Sequence, residues 1–142
     1  MVHALEIVHG LLAPGGVLID IHPTSEAPRL EVRLGEATHL AGWLHETDDA
    51  VEYDQADAAL EMAVERGLFN LQGQRLFRYT THSDSLDALR QHLAREWTDA
   101  VIDDGTARRI EELLNAPTRD RALLLHETVR LTRLGRRAPG GL

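Results

Sequence analysis

The first 23 residues constrain this chain most tightly. Ala4, Leu5, Val8, Leu11 and Leu12 recur at helical spacing. Pro14-Gly15-Gly16 then forces a turn, with proline setting φ and glycine supplying positive φ. Val17-Leu18-Ile19 follows as a buried strand, closed by Asp20, His22 and Pro23.

The rest of the chain continues the alternation. Leu30, Val32 and Leu34 alternate with charged residues, Gly35-Glu36 offers a turn, and Thr38 to His45 returns, which predicts a β-hairpin with one polar face. Thr47-Asp48-Asp49 supplies caps for a helix from about Ala50 to Gly67, carrying Tyr53, Ala56, Ala59, Leu60, Ala63 and Val64. Leu71 to Thr81 reads as a strand. Ser83, Asp84 and Ser85 cap a helix with Leu86, Leu89, Leu93 and Trp97 on one stripe, which makes Trp97 a core residue. Asp103-Asp104-Gly105 breaks that helix. Thr106 to Leu114 forms another, ended by Asn115-Ala116-Pro117, and Leu123 to Arg133 is a last strand. A length of 142 residues fits one domain, 1–134, followed by a flexible tail, 135–142.

The segment "LLAPGGVLIDIHP" and the order of elements after it resemble the C-terminal half of class I S-adenosylmethionine-dependent methyltransferases. The resemblance covers nearly the whole chain. It implies an α/β fold (α+β by content), a partial Rossmann-like sheet whose strands five, seven and six are residues 17–22, 123–133 and 75–81. The hairpin and the helices between Leu86 and Leu114 are additions. In that family a glycine-rich loop and an acidic strand end hold the cofactor, and no residue here stands for either. The resemblance thus implies a methyltransferase-related binding or assembly module that has lost S-adenosylmethionine binding, not an active methyltransferase on its own. The alternative is the C-terminal part of a split enzyme, completed by a partner chain that supplies the missing half and with it the cofactor. Where the family has strand four, strand 17–22 would present an open edge. The hairpin, a second copy in a homodimer, or the partner chain would cover it.

Ligands in α/β sheets bind beyond the carboxyl ends of strands. Asp20 and His22 lie there, and His22 is a side-chain type that titrates near neutrality. His82 ends the next strand and would face the same cleft. Trp43 and Tyr53 sit on the hairpin and following helix, where they would either close over a small ligand or fill the space between those elements. No catalytic residue is assigned. No cysteine is present, no histidine spacing matches a metal motif, and the acidic run from Glu46 to Asp57 suits a helix N-terminus better than a calcium loop.

Charge argues against nucleic acid. Fifteen basic residues, all arginine, oppose 23 acidic ones for a formal net charge of −8. No apolar run spans a bilayer and no leader precedes the first helix, so the expectation is a cytoplasmic protein.

Overall fold

A computed structural model of the chain describes residues 1–47, 51–138 and 140. Asp48, Asp49 and Ala50, read above as the cap and start of a helix, lie outside the described residues, as do Pro139, Gly141 and Leu142 of the tail. The elements are α1 (Val2–Leu11), β1 (Val17–Pro23), β2 (Arg29–Leu34), β3 (Ala37–Trp43), β4 (His45–Glu46), α2 (Val51–Glu65), β5 (Phe69–Ser83), α3 (Leu86–Glu96), β6 (Ala100–Val101), α4 (Asp104–Leu114) and β7 (Arg121–Arg136). The architecture is mixed α+β with a mostly antiparallel, open sheet. Two compact units are delimited, where the sequence suggests a single domain. The first holds Met1–Ser25, Val51–Phe77 and Val129–Leu142, the second Glu26–Ala50 and Arg78–Thr128.

In the first unit β1 pairs antiparallel with residues 129–135 of β7. On the other side of this stretch lies β5, with Gln74 donating to the Thr132 hydroxyl at 3.2 Å and Arg133 donating to Gln72 at 2.9 Å. Leu18, Phe69 and Leu134 face Leu5 and Leu12 from the α1 segment and Leu60, Ala63 and Val64 of α2. Alternation then turns Ile19 and Ile21 to the other face, where they are 48% and 57% exposed. The buried strand expected at residues 17–19 is therefore covered on one face only. Leu11, expected in the helical stripe, points outward at 81% exposure. Gly67 ends α2 at a φ of +75°, as its position suggests. β7 runs through Gly135 and Arg136, and the Arg136 amide donates to the Gly16 carbonyl at 2.8 Å, so the ordered strand extends into the segment read as a tail.

In the second unit β2 lies between β3 and residues 121–126 of β7, antiparallel to both. The hairpin thus pairs with β7, not with β1, which corrects the expectation that it could cover the β1 edge. Leu30 opposite Leu125 and Val32 opposite Leu123 present one apolar face. On it pack Leu86, Leu89 and Leu93 of α3 and Ala107 and Ile110 of α4, with Trp97 partly buried at the margin. Gly42 lets β3 approach α4, since a Cβ there would stand 2.3 Å from the Thr106 hydroxyl. A two-residue ladder joins β4 to β6. Among the described residues no helix is long and apolar enough to cross a membrane.

Both helices of this second unit start on side-chain caps. Ser85 accepts from the Ala88 amide at 3.0 Å, and Asp103 accepts from the Thr106 amide at 2.8 Å and from its hydroxyl at 3.0 Å. The bonds from Thr106 hold the Asp103 carboxyl below the usual carboxylate range, helped by Gly105 and by His45 at 3.6 Å. A depressed carboxyl stabilises the fold above its unfolded titration range, and the contribution disappears as pH falls through the folded value. The Asp103→Asn variant, which keeps a cap oxygen, should be less stable than the parent at neutral pH and should converge on it in acid. Urea midpoints measured from pH 7 down to pH 2 check this; parallel curves would contradict it.

Candidate functional site

The polar tip of β1 is tied to α2 by a chain of ionic bonds. Asp20 and His22 are two apart on a strand and share the face turned toward α2. Asp57 enters from α2 on the same stripe as Tyr53, Leu60 and Val64, at helical spacing. Arg130 of β7 stands opposite His22 in the β1 ladder. His22 Nδ1 faces Asp20 Oδ2 at 2.5 Å and Nε2 faces Asp57 Oδ1 at 3.0 Å, while Arg130 donates to the other oxygen of Asp57. Two carboxylates alternate with an imidazole and a guanidinium. Because each ring nitrogen meets an acceptor, the imidazolium, a donor at both, is the form that makes both bonds. The His22 side chain is 12% exposed and those of Asp20, Asp57 and Arg130 between 21% and 29%.

Asp57 and Arg130 form the polar corner of a cleft of about 370 Å3 in the same unit. Leu60, Val64, Leu71 and Leu134 supply its apolar wall, and Glu61, Glu65, Gln74 and Thr132 its other polar groups. Asp20 and His22 stand behind this corner and do not line the cleft. As folded, neither ring nitrogen of His22 is free to move a proton or bind an ion without breaking a bond to a carboxylate.

The structure brings Asp20 and His22 together, as their spacing suggests, and adds Asp57 and Arg130. Tyr53 is half-buried on α2 in the same unit. His82 and Trp43 belong to the second unit. His82 lines a cleft there, at the end of β5, and Trp43 is 46% exposed at the end of β3. Among the described residues no three His, Asp or Glu side chains converge as metal ligands.

A second polar chain, missed in the sequence, lies within the other unit. His126 faces Glu31 through Nε2 at 2.9 Å and the Thr80 hydroxyl through Nδ1 at 2.8 Å, and Arg29 donates to Glu31 at 2.8 Å. Glu31 is 8% exposed although it alternates with Leu30 and Val32 in the hairpin. A charge buried to that degree needs such partners. Glu127, next along β7, is less well provided. Burial pushes its carboxyl above the usual range, Glu46 adds to the effect, and His92 opposes it.

No family model, curated protein or solved structure matches the chain.

Among the described residues Asp57 is the only carboxylate that touches both His22 and Arg130. Replacing it with alanine leaves His22 Nε2 and the Arg130 guanidinium without the acceptor they share, with only Asp20 left on His22, which costs about 1–3 kcal/mol. The Asp57→Ala variant should lose this much in urea unfolding at neutral pH. An unchanged midpoint would mean that the chain of bonds does not hold β1 to α2.

Proposed function

We propose that this protein is a methyltransferase-related assembly module without catalytic activity of its own, and that it forms a homodimer through the outer edge of β1. The carrying observation is that edge. Among the described residues β1 has β7 as its only ladder partner, and its outward face shows Ile19 and Ile21. An apolar strand with one edge unpaired is a template for another strand, and a two-fold axis lets two copies pair identically.

The placement of β7 between β1 and β5 supports the relationship, because it is the order expected of strands five, seven and six. The engagement of both His22 nitrogens supports a role other than acid–base catalysis. So do the turns at Ser83 to Ser85 and Ile102 to Asp103, which carry acidic and hydroxyl residues where a glycine-rich cofactor loop needs glycine. In the second reading, a partner chain carrying the missing half lies along the same edge, as strand four does in the family, and restores cofactor binding.

Sedimentation equilibrium at micromolar concentration should give a dimer mass. The Ile19→Lys, Ile21→Lys double variant should sediment as a monomer with unchanged circular dichroism, since a lysine pair at an edge is a known guard against pairing. Calorimetric titration of the parent chain with S-adenosylmethionine should give no binding heat. A clean monomer mass contradicts the homodimer and favours the completed-by-partner reading. Binding in the low micromolar range overturns the loss of the cofactor.

A further inference from the structure

Three arginines and two histidines of the second unit gather in one place, in a chain whose overall balance is acidic. A cleft of about 510 Å3 there is lined by Arg33, Arg95, Arg121, His82 and His92 against a single lining carboxylate, Asp84. These groups come from separate elements. Arg33 is on β2, His82 ends β5, His92 and Arg95 are on α3, and Arg121 begins β7. Sequence proximity therefore does not explain the cluster, and like charges brought together by a fold repel unless an anion separates them.

Several of the donors are placed and unspent. Arg121 gives Nη1 to the Leu114 carbonyl at 2.6 Å and to the Ala116 carbonyl at 3.4 Å, which anchors the guanidinium at the end of α4, and its Nε and Nη2 have no hydrogen-bond partner among the described residues. Arg33 is held by Asp120 at 3.1 Å through Nη2, while its Nε is shielded from solvent with no acceptor. Arg95, His82 and His92 have no hydrogen-bond partner among the described residues, and His92 is near enough to the Glu127 carboxyl to act on it. Asp120 is 67% exposed, so it offsets the charge of Arg33 only weakly.

We propose that this cleft binds the phosphate group of a small phosphorylated ligand. A carboxylate offers two oxygens in one plane and saturates one guanidinium fork, whereas three arginines lining one cleft from different elements suit the three oxygens of a phosphate. The hydroxyls of Thr81 and Ser83 also line the cleft and can donate to it. Its volume exceeds that of phosphate alone and lies within the roughly 300–1,000 Å3 of ordinary small-ligand sites, which leaves room for the body of the ligand. The inference uses no residue of the β1 edge, so it stands or falls apart from the assembly role.

The test is a titration of the full chain with pyrophosphate at constant pH and ionic strength, read by the imidazole ring resonances. His82→Gln and His92→Gln spectra assign the two signals. The His82 and His92 signals should shift along a saturating curve while His3, exposed on α1, stays in place. Arg95→Gln, a change at an exposed position that preserves the circular dichroism spectrum, should weaken binding about tenfold, the effect of losing one charge-assisted contact. Citrate should shift the same signals much less. A linear drift without saturation, an unaltered affinity in Arg95→Gln, or citrate binding as tight as pyrophosphate would each overturn the proposal.

Discussion

Strand β7 is the element on which the other strands of the sheet depend. Its residues 129–135 give β1 its only ladder, its residues 121–126 give β2 one of two, and β5 pairs with it as well. Each compact unit draws part of its core from it, Leu134 in the first and Leu123 and Leu125 in the second. Backbone N–H and C=O groups must be paired when buried, and a strand flanked on both sides satisfies all of its own. β1 and β5 do not share that advantage. Their outer edges have no ladder partner among the described residues, and the protein treats the two edges differently.

The difference comes from where the charges are spent. On β5 the exposed apolar residues Leu76, Phe77 and Tyr79 are interleaved with Arg75 and Arg78, which discourage pairing with another strand. On β1 the polar residues Asp20 and His22 are turned toward α2, His22 bound to Asp57 and Asp20 to His22, so none is left to guard the outer face. The ionic chain therefore has two consequences. It fixes β1 to the helix layer, and it leaves Ile19 and Ile21 as the groups another chain would meet. Removing Asp57 would weaken the first and free Asp20 and His22 to disturb the second.

Local structure was legible in the sequence wherever a stripe and a cap coincided. Leu86, Leu89 and Leu93 with Ser85 mark α3, and the structure has that helix with that cap. Asp103-Asp104-Gly105 reads as a break, yet Asp103 is the cap and Asp104 the first helical residue, because a carboxylate that ends one segment is also the preferred start of a helix. Long-range pairing was not legible. Alternation shows which side chains share a face but not which strand lies alongside, so the hairpin carries no signal that it joins β7 instead of β1. Glu31 reads as solvent-facing from its neighbours and is buried because β2 is flanked on both sides. Asp57 could have been singled out, since it occupies an apolar stripe between Tyr53 and Leu60, whereas Arg130 is indistinguishable in sequence from the arginines around it.

Hydrogen exchange measured at low and high protein concentration tests the central claim most directly. The amides of β7 should be slow at both concentrations, because their protection comes from within the chain. The β1 amides that do not bond to β7 should exchange quickly in dilute solution and become protected as concentration rises, while the outer amides of β5 stay fast. Equal exchange of the outer β1 amides at the two concentrations, with β7 protected throughout, would contradict assembly through this edge.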